Sequence, residues 1–286
     1  MTFRDILVQV DASEAGVARA RFGAQLAASF RGCASGFFIR VPRVAAVDLP
    51  VFTELGLQGG AYGEALRRLE EAEDRAQHEA ERAFRAELAR VRIGGDWLVL
   101  EAGSPELIDA RARYADLVIV GAPGSQEPGA PLTEAFPAEL ALASGRPVLA
   151  IPRKSAADPV GERIFVAWNS SREAARAVND AMPLLERARF VAALAVEPPW
   201  GEIQAGMREL SKLLLHLERH GVSGERYVVQ APEHLAGDEI IAQARRAACD
   251  LVVMGAYGHS HMREIVLGGA TRTLLNSGEF PVLLSH

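Results

Sequence analysis

Hydrophobic and polar positions follow two periods along this chain, and the two take turns. In the second half, short and mostly apolar runs stand at 163–168, 190–196, 226–230, 251–254 and 280–284. Between them, apolar residues recur three or four apart; within 202–220 they fall at 203, 207, 210, 213, 214 and 217. The runs predict strands, and the stretches 173–186, 202–220 and 238–248 predict helices. A further helix after residue 258 is expected to bury Met262, Ile265, Val266, Ala270 and Leu274. Strands that are apolar throughout need cover on both faces, which parallel strands joined by crossover helices provide. The fold class predicted is α/β: doubly wound, Rossmann-like, with a five-stranded parallel sheet and helices on both faces.

The pattern then occurs a second time. "DILVQVDASEAGVARARFGAQLA" near the start matches "ERIFVAWNSSREAARAVNDAMPLL" later, which aligns Asp11 with Asn169 and Ser13 with Ser171. "ADLVIVGAPG" (115–124) matches "CDLVVMGAYG" (249–258), and "SGRPVLAIP" (144–152) matches "SGEFPVLLS" (277–285). Three matched segments in one order imply two tandem domains of this fold, 1–154 and 160–286, with a polar, Pro-containing seam "PRKSAADPVGER" between them. Solenoids need three or more short units, so two long copies exclude one. The first copy carries an insertion at 41–63, rich in Gly and Pro, before a long charged helix at 64–90. Charge pairs at helical spacing in "EEAEDRAQHEAER" make that helix a solvated face or an oligomer edge.

Composition narrows the function classes. A net charge of -6 and a pI of about 5.7 argue against a nucleic-acid binder, which carries a basic patch or stripe. No apolar stretch is long enough to span a bilayer, the first residues enter a strand at once without a signal-peptide pattern, and a cytoplasmic location is expected. The two cysteines, Cys33 and Cys249, read as buried free thiols.

The candidate chemistry lies in "GAYGHSHMREIVLGG" (255–269), between a predicted strand and a predicted helix. Backbone N–H groups of a Gly-rich loop beside a helix N-terminus favour a phosphate. Thr271 can add a hydroxyl, and Arg272 a charge if it turns inward. The spacing is not that of a Walker A loop, and the only lysines, Lys154 and Lys212, are far off in sequence. On the residues alone two readings stand side by side: an anion site, or glycines that serve tight turns and close helix packing.

Gly255-x2-Gly258-x9-Gly268, after an apolar strand and before small residues, resembles the nucleotide loop of the universal stress protein family. The likeness extends to "VDAS" and "AWNSS", to the two "DLV" strands and to both closing strands, so the whole chain resembles a tandem member. The resemblance implies binding or sensing of an adenine nucleotide (ATP, ADP or AMP), with or without Mg²⁺, in a stress response. It implies pairing through last strands, either between the two domains or in a homodimer. It places Ala167 and Asn169 against base and ribose, Val196 beside adenine, and Met254 and Gly255 by the base or ribose. Gly258, Gly268, Gly269, Ala270 and Thr271 would surround the phosphates. Binding members usually have Asp at the place of Asn169 and Ser or Thr at that of Gly269. In the first copy Glu134 replaces the third glycine, Pro123, Pro128 and Pro131 remove donors, and Glu127 and Glu134 would repel a phosphate; loss of that site is expected.

Other candidates read more plainly. His259 and His261 lack a third ligand for a metal, and Trp200 reads as packing before it reads as a lid over a base. Ser13, Ser170 and Ser171 read as helix N-caps, helped by Glu14 and Glu173. With no Gly-x-Ser-x-Gly elbow and no coherent triad, no catalytic residue is assigned, and slow ATP hydrolysis is the most chemistry expected. The alternatives are a nucleotide-independent interaction module and, further off, an adenylyl-transferring enzyme.

Overall fold

A computed structural model describes residues 2–40, 60–101, 105–122, 133, 135–155, 160–257 and 268–286. The first half contains strands β1 (Asp5–Gln9), β2 (Cys33–Arg40), β3 (Trp97–Glu101), β4 (Leu117–Gly121) and β5 (Val148–Ile151). Its helices are α1 (Glu14–Ser29), α2 (Gly60–Val91), α3 (Pro105–Ala112) and α4 (Phe136–Ser144). The second half contains β6 (Arg163–Ala167), β7 (Phe190–Glu197), β8 (Glu225–Gln230), β9 (Leu251–Gly255) and β10 (Val282–Ser285). Its helices are α5 (Arg172–Leu185), α6 (Ile203–Arg219), α7 (Ala236–Arg246) and α8 (Gly269–Ser277).

The ten strands of the described residues lie in one sheet, ordered β3-β2-β1-β4-β5-β10-β9-β6-β7-β8. Each half has the same internal order, and every neighbouring pair within a half is parallel. The halves join where β5 meets β10 antiparallel, with Leu149 opposite Leu283. Last-strand pairing therefore takes place within the chain. Alternation along the strands builds a core on each face. Ile6 and Val8 pack with α1, α2, α5 and α6 on one face, Leu7 with α3, α4, α7 and α8 on the other, and both cores run unbroken across the seam.

The aspartate of the two "DLV" motifs works at the amino edge of the sheet. Asp250 accepts hydrogen bonds from the backbone N–H groups of Gly161, Glu162 and Arg163 at 2.8–3.1 Å, and Asp116 from those of Arg4 and Asp5. Each carboxylate thus satisfies donors that the opening strand of its half leaves unpaired. At the seam, Arg187 at the end of α5 donates to the Oγ and carbonyl of Ser29 and lies 3.5 Å over the Phe30 ring.

Some expectations change. Cys33 is exposed, because it is the first residue of β2 and precedes the covered part of the strand. Cys249 is buried, and burial pushes its thiol up to about 12. Ser13 and Ser171 cap their helices, but Ser170 stands at φ 59, before the helix, and caps nothing. The charged helix starts earlier than expected, at Gly60, and carries Glu64–Arg68, Glu71–Arg75 and Glu81–Arg85 pairs four residues apart. Of the apolar positions expected beneath the helix after residue 258, Leu274 is buried and Ala270 half-buried; Met262, Ile265 and Val266 lie outside the described residues. Residues 41–59 of the insertion do so too.

Candidate functional site

In the second half, β6 lies between β9 and β7, so the chain leaves β6 on one side and returns to it from the other. A crevice outside the carboxyl ends of the strands opens at such a reversal. Ala167 ends β6, and the pairing of Val166 with Val253 brings Met254, which is buried, alongside it. Val196 stands one residue from the end of β7 and is half-buried. Asn169 is exposed just past β6. Its Oδ1 accepts from the Ser171 N–H at 3.2 Å, and Ser171 Oγ accepts from the Ala174 N–H at 3.1 Å, which fixes the turn into α5. The Asn169 amide Nδ2 has no hydrogen-bond partner among the described residues. Gly268 is the N-cap of α8 and supplies no side-chain cap; Gly269 is exposed, Ala270 half-buried and Thr271 buried. Gly258 lies outside the described residues, as do His259 and His261. The other nine predicted residues all fall at this carboxyl edge.

The glycines separate into two kinds. A Cβ on Gly255 would stand 2.6 Å from Ala174 N and from the Glu173 carbonyl carbon, so this glycine is needed for the close approach of β9 to α5. Gly268 has φ -56, and a Cβ there would meet only Thr271 Oγ1, at 3.9 Å; at Gly269 it would meet nothing within 4 Å. Neither has a positive φ. Among the described residues, then, neither packing nor backbone conformation requires glycine at the N-terminus of α8.

Three polar groups at this edge were not found from the sequence. The buried Trp168 Nε1 and Ser285 Oγ have no hydrogen-bond partner among the described residues, and Ser285 pairs with Gly255. Glu173, in the first turn of α5, is buried and accepts from Arg172 Nε at 2.5 Å. Burial pushes its carboxyl up, but the hydrogen bond from Arg172 and its charge outweigh this and hold it below the ordinary range. The signal lay in the repeat: Val10 and Ala15 stand at the matching places of the first half. Trp200 is 86% exposed, so it is not the packing residue expected. Arg272 is exposed and lines a 630 Å³ groove between α7 and α8 with Asp238, Arg245 and Asn276.

The corresponding edge of the first half is filled from within. Arg19, buried on α1, pairs with Asp11 and donates from Nε to the Gln9 carbonyl at 3.2 Å. Gln9 Oε1 accepts from the Gly121 N–H at 2.9 Å, and the Arg19 guanidinium lies against Gly121. Burial pushes the Asp11 carboxyl up, but Arg19 and hydrogen bonds from Ser13 outweigh it, so the carboxyl stays below its ordinary value. The second half has Ala167, Asn169 and Ala177 where the first has Gln9, Asp11 and Arg19. Glu127, Glu134 and the three prolines invoked for loss of this site lie outside the described residues.

No three His, Cys, Asp or Glu side chains stand close enough to hold a metal ion among the described residues, and no helix there is long and apolar enough to cross a membrane.

The fold places the chain in the class of doubly wound α/β proteins, with a strand-order reversal in each half. Residues 161–286 match the model of the universal stress protein family. A universal stress protein from Archaeoglobus fulgidus DSM 4304 is similar over 98% of this chain and 95% of its own, with 16% identity and a TM-score of 0.68. A functionally unknown protein from Pseudomonas aeruginosa PAO1 is similar over 99% of this chain and 92% of its own, with 15% identity and a TM-score of 0.57. At these identities the likeness is one of fold, and it covers both halves. No curated protein matches the sequence.

Proposed function

We propose that the chain is a tandem universal stress protein, with domains 1–154 and 160–286, that binds or senses an adenine nucleotide at the second domain. The observation that carries this reading is the pair Gly268–Gly269. These glycines stand at the start of a nine-residue helix, with no φ requirement and no near neighbour among the described residues. A phosphate against the backbone N–H groups of Gly269, Ala270 and Thr271 gives them a reason. The Asn169 amide, the Ala167 and Met254 strand ends and Val196 would flank ribose and base, with Gly255 holding β9 to α5 beneath them. Gly258 is assigned to the phosphates on the resemblance alone. Mg²⁺, where it accompanies the nucleotide, would be held mainly by the phosphates. The first domain does not bind, because Arg19 already supplies Asp11 with its cation and Gln9 occupies the Gly121 N–H.

Calorimetric titration with ATP, ADP and AMP, with and without Mg²⁺, beside a Gly268→Glu variant, tests this. One equivalent per chain, lost in the variant, is expected. Absence of binding in a folded sample leaves the interaction module as the function, with the contacts made by protein surfaces.

A further inference from the structure

Away from that edge, α6 carries a pair of histidines that the proposed function does not use. His216 and His220 lie four residues apart, the second as the C-cap of the helix. Their ring centroids are 4.8 Å apart with the planes at 62°. His216 is half-buried and His220 exposed, and neither has a hydrogen bond or ion pair among the described residues. Of the other described histidines, His78 and His286 have backbone carbonyls beside Nδ1.

We propose that His216 and His220 form a two-histidine chelate for a divalent transition-metal ion of the Zn²⁺, Ni²⁺ or Cu²⁺ kind. Two imidazoles bound to one tetrahedral ion, each at about 2.0–2.1 Å, have centroids roughly 5 Å apart. The observed separation already meets that requirement. Imidazole nitrogen selects these ions over Mg²⁺ and Ca²⁺, which take oxygen ligands. Residues four apart share one face of the helix, so one ion can reach both rings. The negative end of the α6 dipole lies beside the pair and favours a cation. Two protein ligands leave the remaining positions to water, so the site is an exchangeable one, unlike a closed four-ligand structural zinc.

Titration of the intact protein with Zn²⁺, beside His216→Ala, His220→Ala and a His259→Ala/His261→Ala double variant, tests the assignment. One equivalent is expected to bind to the wild type and to the double variant. Loss even of outer-shell partners weakens metal binding by roughly ten- to a hundredfold, so either single variant should weaken it at least about tenfold. Mg²⁺ should not compete. Absence of Zn²⁺ binding overturns the proposal, and so does binding that neither single variant weakens. The outcome is independent of whether a nucleotide binds.

Discussion

The two kinds of glycine make opposite predictions for single substitutions. Gly255→Ala forces a methyl against α5 backbone that cannot move alone, and overpacking of this sort costs about 1–3 kcal/mol. Gly269→Ser meets no neighbour among the described residues, so urea unfolding should find it within about 0.5 kcal/mol of the parent. The added hydroxyl should tighten nucleotide binding if a phosphate lies there; a weaker complex would count against that placement. Arg19 makes a second prediction. The Asp11 carboxyl is depressed in the folded state, so its contribution is present above the ordinary carboxylate pKa of about 3.9 and lost as pH falls through the lower folded value. Arg19→Met should therefore lower the urea midpoint more at pH 7 than near pH 2. An equal loss at both would mean that the pair contributes nothing electrostatic. The glycine spacing was visible in the sequence, but the division between packing and open glycines was not, because it depends on which backbone passes each Cα. Arg19 escaped notice for a similar reason: on a helix rich in alanine it looks like a solvated charge, and only the fold brings it to Asp11.

Elements were the most legible level. Strands at 163–168, 190–196 and 251–254 and helices at 173–186 and 202–220 were expected within a residue or two of where they stand, because fully covered parallel strands and one-sided helices write distinct periods. What periodicity cannot write is how an element is anchored. The "DLV" aspartates were seen only as part of a repeated strand, yet each anchors an opening strand, where Asp250 gathers three backbone N–H groups and Asp116 gathers two. Buried donors left without an acceptor cost about 1–3 kcal/mol each when water cannot reach them. Asp250→Ala should thus destabilise by roughly 2–4 kcal/mol and Asp116→Ala by less, partial hydration offsetting part of the sum. Nucleotide affinity should stay unchanged in whatever fraction remains folded. A large affinity loss without a stability loss would move Asp250 from an anchoring role to a ligand-binding one.

At the scale of the molecule, the repeat announced two domains but left open whether their last strands meet each other or another chain. β10 is buried at every position, and β5 covers its outer edge. Contacts off the sheet tie the same halves together: Arg176 donates to the Gly145 carbonyl at 3.2 Å, and Arg187 reaches Ser29 and Phe30. Tyr257, two residues past β9, lies near enough to Glu139 of α4 for that charge, after burial, to raise its hydroxyl. The first half is therefore positioned beside the carboxyl edge of the second. Without it, β10 becomes an exposed apolar edge strand. An antiparallel edge is complementary to a copy of itself about a two-fold axis. Residues 160–286 expressed alone should thus form a β10-to-β10 homodimer, while the intact chain, with that edge already paired, has no such route to dimerise. Light scattering across a concentration series distinguishes the two. A stable monomer of 160–286 would mean that the seam contributes little to folding, and that the first half is kept for some role other than covering the second.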